Sequence, residues 1–123
     1  MRASKNELPV MLEAGPAVIR GAKDWGDLRV THVSVPAGTD FGPLLRGLKD
    51  DLCQAPHWGY IVKGRLRLTY AGGSEEVLRE GDLYYMPAGH TGVAEEDLEF
   101  VEVVPHEGHQ QFLENAQKNL AAV

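Results

Sequence analysis

The sequence predicts a small all-β barrel that is followed by one short C-terminal helix. Fourteen glycines and seven prolines in 123 residues favour many tight turns over long helices. Strand-like runs of about five residues alternate with short turns, which is the pattern of an antiparallel meander. Two of the five histidines, His57 and His90, lie at strand ends beside glycine turns. We therefore predict a barrel with a single interior site.

Seven strands are predicted, and most of them end at a turn that contains Gly or Pro. They span residues 17–20, 28–35, 58–62, 65–70, 75–79, 83–86 and 98–104. Residues 40–54 are irregular, with at most a short helical turn, and we expect them to cover the mouth of the barrel. The core of the barrel is predicted to occupy about residues 17–105.

The C-terminal segment has a different pattern. Residues 110–123 contain neither Gly nor Pro, and they place Phe112, Ala116 and Leu120 at helical spacing. This spacing predicts an amphipathic helix over about residues 109–121 that packs against the barrel. The preceding pair, His106 and His109, straddles a glycine after a proline, and we interpret it as a solvated connector.

Composition argues against several classes of protein. The net charge is −6 and no run of Lys or Arg occurs, so a nucleic-acid partner is not expected. No apolar run approaches the roughly 18 residues of a membrane span. Residues 1–20 carry Glu7 and Glu13 and do not resemble a signal peptide. The only cysteine, Cys53, cannot form an internal disulfide, so we expect one cytoplasmic domain over residues 1–123.

From residue 57 to about residue 104 the chain resembles the cupin superfamily of double-stranded β-helix (jelly-roll) barrels. Gly81, Pro87 and Gly89 match the glycine and the Pro-x-Gly turn of the second cupin motif. Gly64 matches the closing glycine of the first motif. The resemblance implies a small single-domain cupin that binds a small molecule and forms a homodimer, with residues 1–20 pairing with a second chain.

The metal-binding positions of the family are substituted here. Cupins hold their metal with two histidines and a glutamate from the first motif and one histidine from the second. Counting back seven residues from the closing glycine puts His57 at the glutamate position, and the His-x-His pair falls on Asp51 and Cys53. The second-motif histidine position is Gly92, and His90 lies two residues earlier. An offset of two residues keeps the same face of a strand, so His90 is expected to point inward.

We therefore predict a divalent metal site formed by His57 and His90, with Cys53 and Asp51 as further ligands. A carboxylate from Asp51 suits Fe(II) or Mn(II), whereas a thiolate from Cys53 favours Zn(II) or copper, and nickel is a further candidate. Without a metal, His57 and His90 are candidates for a general acid and a general base. The alternative is that both histidines are structural or contact only the ligand.

The pocket is predicted to be partly apolar. Its expected lining residues are Gly59, Ile61, Tyr85, Met86 and, as a reserve ligand, His32. Trp58 and Tyr60 fall on the opposite face of their strand, where they would pack between sheets or subunits.

The leading hypothesis is a small cupin that binds a compact organic ligand and one divalent metal. The resemblance implies isomerase, cyclase or oxygenase chemistry on a carbonyl or enolic compound. The alternative hypothesis is a metal-free, non-catalytic barrel that binds or senses a small molecule.

Overall fold

Two antiparallel sheets face each other in the computed structural model, which describes residues 1–122. The strands are β1 (Val10–Ala14), β2 (Ala17–Gly21), β3 (Leu28–Val35), β4 (His57–Lys63), β5 (Arg65–Tyr70), β6 (Glu75–Arg79), β7 (Leu83–Met86), β8 (His90–Ala94) and β9 (Leu98–Pro105). One sheet has the order β1-β2-β3-β9-β4-β7, and the other has the order β6-β5-β8. The predicted all-β fold with a C-terminal helix is confirmed.

The helices lie outside the sheets. A short helix α1 (Gly42–Leu45) and a 3₁₀ turn (Lys49–Asp51) occupy the segment between β3 and β4, and a second 3₁₀ turn spans Lys5–Glu7. The long helix α2 (His106–Ala121) follows β9 directly. None of the helices within residues 1–122 is long and apolar enough to cross a membrane.

The core lies between the two sheets, where alternate residues of each strand point inward. In β9 the even-numbered residues Leu98, Phe100, Glu102 and Val104 are buried, which places one carboxylate among apolar side chains. In β3 the odd-numbered residues are the buried ones, so Leu28 and Val30 are not core residues. The inward face of β3 therefore carries Arg29 and Thr31 as well as two valines.

The N-terminal strand pairs within its own chain. Residues of β1 form an antiparallel ladder with β2, and Leu12 of β1 is buried in the main core. Strand β1 is the edge strand of its sheet, so the pairing of residues 1–20 with a second chain stays a prediction.

Two elements differ from the sequence-based prediction. Strand β8 pairs with β5, but its inward residues include Gly92 and Ala94, which are too small to give an apolar alternation in the sequence. Helix α2 begins at His106 rather than near residue 109, because the residue after Pro105 already adopts helical geometry. Val123, which the prediction included in the helical run, lies outside the described residues.

The irregular segment between β3 and β4 does line the open edge of the smaller sheet. The amide of Phe41 donates to the carbonyl of Gly92 (3.0 Å), and the amide of Cys53 donates to the carbonyl of His90 (2.8 Å). The side chains of Asn115 and Asn119 in α2 donate to carbonyls of the same segment, at Leu44 and at other residues of its helical turn. The backbone that carries Cys53 is therefore held against β8 and α2.

Candidate functional site

Three buried donor side chains converge between the two sheets. Cys53 comes from the segment beside β8, His57 is the first residue of β4 and His90 is the first residue of β8. Their candidate ligand atoms all lie within 4.8 Å of one another, and the two imidazole centroids are 4.8 Å apart. The backbones of Cys53 and His90 form an antiparallel bridge, which brings the thiol to the second imidazole.

His90 is held in one tautomer by the turn that precedes it. Its Nδ1 lies 2.8 Å from the carbonyl oxygen of Pro87. A carbonyl only accepts hydrogen bonds, so Nδ1 is the nitrogen that carries the proton. The neutral ring then has its lone pair on Nε2, which is the form that binds a metal.

His57 lies between a thiol and a carboxylate. Its Nε2 is 3.4 Å from the Sγ of Cys53. Its Nδ1 is 3.2 Å from Oε1 of Glu102, a distance for an ion pair, although the atoms are not aligned for a hydrogen bond. The other carboxylate oxygen of Glu102 accepts a hydrogen bond of 2.6 Å from the hydroxyl of Tyr84. Cys53, His57, Glu102 and Tyr84 therefore form one continuous chain of polar contacts.

The charges in this chain are strongly coupled. Burial alone would lower the pKa of His57, but the attraction of Glu102 and the contact with Cys53 outweigh burial and raise this pKa to about 10. Burial alone would raise the pKa of Cys53, but His57 and His90 outweigh burial and lower it to about 6. The metal-free site at neutral pH therefore holds a thiolate next to an imidazolium.

The last two members of this chain of polar contacts are the carboxylate of Glu102 and the phenol of Tyr84. Burial would raise the pKa of Glu102, but His57 and the hydroxyl of Tyr84 keep it below its usual range. Burial, and then the negative charge of Glu102, raise the pKa of Tyr84. Tyr84 is therefore a neutral donor to an ionised Glu102.

A cavity of about 70 Å³ opens beside the cluster. Its walls are mostly apolar, and Met86 lies among them, as the sequence predicted. Met86 is the register partner of His57 across β4 and β7, so the two side chains share one face of the sheet. The polar lining residues are the cluster itself together with Thr31, Thr91, Glu102 and His109.

Several predicted site residues lie elsewhere. Asp51 is exposed and accepts a hydrogen bond from the amide of Gly47 (3.0 Å), because the 3₁₀ turn directs its side chain away from the cluster. Tyr85 is 54% exposed and stacks on Trp58, because Tyr84 takes the inward position of β7. His32 points to the outer face of β3, where its Nε2 lies 2.9 Å from Glu99. The predictions that these three residues belong to the metal site or the pocket are wrong.

Ile61 and Gly59 also lie outside the cavity wall. Ile61 is fully buried in the main core. A Cβ atom at Gly59 would lie 2.5 Å from the hydroxyl oxygen of Tyr84 and 2.5 Å from the carbonyl oxygen of Val101. Gly59 therefore gives room to Tyr84, the donor that supports Glu102, rather than to a ligand.

We expect Gly59→Ala to lower the free energy of unfolding by about 1–3 kcal/mol, because the new methyl group must displace the backbone or the ring of Tyr84. Urea denaturation of the purified variant measures this loss. Gly42→Ala is the matched control, since there the added Cβ meets only the side chain of Asp40. A Gly59→Ala protein as stable as the control would contradict this packing argument.

Sequence reasoning missed Glu102 and His109. Glu102 is the one carboxylate at an even-numbered position of β9, among Leu98, Phe100 and Val104, and this parity was available in the sequence. His109 shares a helical face with Leu113 and Ala116, so extending the helical spacing backward from these residues reaches it. The interpretation of His106 and His109 as a solvated connector is wrong for His109, which is buried.

The donor set fits a metal ion. The 3.4 Å between Sγ of Cys53 and Nε2 of His57 is close to the spacing of about 3.5 Å that two ligands of a tetrahedral zinc ion show. Cys53 is a thiolate in this environment, and the tautomer of His90 leaves Nε2 free to bind. A thiolate and two imidazoles with the thioether of Met86 nearby are softer ligands than a carboxylate set.

The fold and the site together define a class of protein: a small double-sheet barrel with one interior donor cluster. The sequence profile of the Cupin domain matches residues 54–104, the segment that carries both histidines. Over these residues, which make up less than half of the chain, the sequence is similar to the cupin domain. No relative was found among curated protein sequences.

Solved structures share this fold. A variant of oxalate decarboxylase from Bacillus subtilis has a TM-score of 0.61 and 24% identity, over 84% of this chain and 28% of that one. The polyketide cyclase RemF from Streptomyces resistomycificus has a TM-score of 0.63 and 18% identity, over 85% of this chain and 78% of that one. A Cupin 2 conserved barrel domain protein from Salinispora arenicola has a TM-score of 0.58 and 16% identity, over 91% and 92%.

These likenesses concern the fold alone, since every identity is below 25%. The chain spans little more than a quarter of the decarboxylase. It spans most of the other two proteins.

Proposed function

We propose that this protein is a metal-dependent cupin that binds a compact organic ligand in the cavity beside Cys53, His57 and His90. The observation that carries the proposal is the convergence of three buried donor atoms within 4.8 Å on the wall of that cavity. Three protein ligands leave a coordination position for a substrate, which is the arrangement of catalytic rather than structural sites.

The chemistry of the donors selects the metal. With Asp51 exposed and Cys53 inside, the site has two imidazoles and a thiolate, which suits zinc and, as the second choice, copper. Iron and manganese are less favoured, because the carboxylate of Asp51, which would suit them, lies outside the cluster.

Cys53, His57 and His90 would hold a zinc ion here, and it would supply Lewis-acid chemistry at a carbonyl oxygen. The side chains of the protein would orient the metal ligands and exclude water. His57 would bind the metal through Nε2, while its Nδ1 stays in the ion-pair contact with Glu102, which Tyr84 holds in place. The apolar walls exclude water from the reacting atoms.

This arrangement supports isomerase, cyclase or related lyase chemistry on a small carbonyl or enolic compound. The structural neighbours described above include a decarboxylase and a cyclase, which is consistent with that range.

The competing function is a metal-free barrel that binds or senses a small molecule without catalysis. One observation favours it: the thiolate of Cys53 is already balanced by the imidazolium of His57, so the cluster is electrostatically satisfied without a metal. The two functions differ in metal content.

Metal analysis by plasma mass spectrometry decides between them. We expect about one zinc per chain in the wild-type protein, and a loss of most of it in Cys53→Ser, His57→Ala and His90→Ala. His32→Ala is the control, since this histidine pairs with Glu99 on the outer face. Wild-type protein that takes up no metal after reconstitution would refute the metal-dependent function and leave the binding barrel.

We also propose that the protein is a homodimer through the outer face of β4 and β7. Trp58 pairs with Tyr85 and Tyr60 pairs with Leu83 across these strands, and all four side chains are exposed. Each of these four side chains would bury about 100 Å² of surface, so two copies together would bury roughly 800 Å². The free edge of β7 adds backbone surface to the interface. A second copy supplies a surface of the same apolar character.

Analytical ultracentrifugation tests this interface. We expect wild-type protein to sediment as a dimer and Leu83→Glu protein to sediment as a monomer, because a carboxylate would be buried twice across the symmetry axis. Val93→Glu, which changes an exposed valine on the other sheet, is the matched control. A monomeric wild-type protein would overturn the proposed dimer.

A further inference from the structure

His109 and Arg29 form a buried pair that the metal site does not use. Nη1 of Arg29 lies 2.8 Å from Nδ1 of His109, and the two residues are 3% and 4% exposed. Arg29 lies near the start of β3, and His109 lies in the first turn of α2. The pair therefore connects the helix to the inner face of the larger sheet.

The pair fixes the tautomer of His109. A guanidinium has only donors, so Arg29 donates and Nδ1 of His109 accepts. The proton of the neutral imidazole must then be on Nε2. Burial, and next the positive charges of Arg29 and His57, lower the pKa of His109 to about 3, although Glu102 acts in the opposite direction and His106 adds a small effect. The ring is neutral at physiological pH.

Nε2 of His109 has no acceptor among residues 1–122. Arg29 is the one hydrogen-bond partner recorded for the ring of His109 in the described part of the chain. The ring stacks on Phe112 at a centroid distance of 5.8 Å, which fixes its plane. His109 is also a lining residue of the cavity that holds His57, His90 and Glu102. A fixed N–H donor is thus available on the wall of a ligand cavity.

The charge of the site favours an anionic ligand. Once a divalent metal is bound, the carboxylate of Glu102 and the thiolate of Cys53 balance its charge. Arg29 remains, and no carboxylate lies within 4.0 Å of it among the described residues. Its Nε atom is buried and has no partner in the same part of the chain. A ligand with one negative charge would neutralise the cavity.

We propose that His109 is a ligand-binding residue whose Nε2–H donates to a carboxylate or enolate oxygen of the cavity ligand, and that Arg29 is the positioning residue that fixes its tautomer. The substrate class is therefore a small carboxylic acid or an enolisable acid of a few heavy atoms, which suits a cavity of about 70 Å³. This inference rests on the proposed function, because the ligand is the one that binds beside the metal.

Formate is the probe, because it is the smallest carboxylate and the cavity can hold it. Nitrogen-15 NMR of histidine-labelled protein reports the tautomer of His109 in the metal-free state, and a formate titration of zinc-loaded protein reports binding at the same ring. We expect the Nε2–H tautomer at pH 7 and a shift of its resonances on addition of formate. Arg29→Met should give a mixture of tautomers.

His109→Phe keeps an aromatic ring against Phe112 and removes the donor. We expect it to weaken formate binding about tenfold to a hundredfold while the metal content stays near the wild-type value. His109→Gln retains a donor and should recover part of the affinity, which a purely structural role would not predict. His106→Phe on the exposed side of the same turn is the matched control.

Three results would overturn the proposal: an Nδ1–H tautomer or an imidazolium at pH 7, formate affinity within twofold of wild type in His109→Phe, or no formate binding to wild-type protein. Failure of the metal-dependent function would appear separately, as wild-type protein without metal. The tautomer of His109 in metal-free protein would then still show whether Nε2 is the fixed donor, because the bond with Arg29 does not depend on the metal.

Discussion

Glu102→Gln should weaken zinc binding about 10- to 100-fold, the usual cost of losing the acceptor behind a metal-binding histidine. The carboxylate lies 3.2 Å from Nδ1 of His57 and is buried, so its charge acts on the imidazole without much screening by solvent. A neutral amide removes the attraction that raises the pKa of His57 and lowers the basicity of its ligand nitrogen. Competition with a chromophoric chelator measures the change in zinc affinity.

Glu99→Gln is the matched control for this experiment. Glu99 lies in the same strand, three residues earlier, but it points outward and pairs with His32 and Lys5. It should leave zinc affinity within about twofold of wild type, since its charge is partly exposed and screened. Equal affinities in Glu102→Gln and Glu99→Gln would show that the carboxylate does not support the metal.

The fold could be predicted because its signals are local. Gly and Pro turns mark the strand ends, and the Gly81, Pro87 and Gly89 pattern resembles a known motif. Strand β8 was missed because it lacks such a local signal: Gly92 on its inward face leaves no apolar alternation to detect. The start of α2 was missed because Gly108, within its first turn, argued against a helix.

The candidate site was predicted only in part, because side-chain direction depends on backbone geometry that sequence spacing does not fix. Cys53 faces the imidazoles because its backbone pairs with His90, whereas Asp51, two residues earlier, has a φ of 57° and points to solvent. An assumption of one extended face for both residues fails at this turn. Tyr85 was assigned to the pocket, but Tyr84 faces inward. Parity shows that one of two adjacent strand residues faces inward, but it does not show which one.

Glu102 and His109 are not part of the two cupin motifs that directed attention to His57 and His90. Each is a polar residue at a core position, Glu102 within the alternation of β9 and His109 on the buried face of α2. Such a residue is costly to bury without a partner, so it is a better indicator of a site than an exposed charge. The alternation of β9 identifies Glu102, and the helical spacing of α2 identifies His109.

The stability of the metal-free protein should fall as the pH decreases from 6.0 to 4.5, by about 1.4 kcal/mol for each pH unit. The pKa of His109 is about 3 in the folded state and 6.5 without the fold, so the unfolded chain binds a proton that the native state excludes. The stability that depends on a neutral His109 is therefore complete above pH 6.5 and is lost progressively toward pH 3. Over this window the expected loss is about 2 kcal/mol.

The other groups with shifted pKa values titrate mostly outside that window. The pKa of His57 is raised to about 10, so its contribution is complete below pH 6.5 and is lost as the pH rises toward 10. The pKa of Cys53 is lowered from 9.0 to about 6, so its contribution is complete above pH 9 and is lost as the pH falls to 6. The lowered pKa of Glu102 matters only below its ordinary value of 4.5. The protonation of His109 is therefore the largest contribution between pH 6.0 and 4.5, and the His109→Phe variant separates it from the others.

Urea denaturation at pH 6.0, 5.2 and 4.5 in the presence of a chelator measures the slope. His109→Phe cannot take up a proton in the unfolded state, so its free energy of unfolding should change little over this interval even if its absolute stability is lower. His106→Phe, at the exposed start of the same helix, should keep the wild-type slope. If His109→Phe kept the full slope, the proton that destabilises the fold would be taken up elsewhere, and His109 would not be the buried neutral donor that its bond with Arg29 requires.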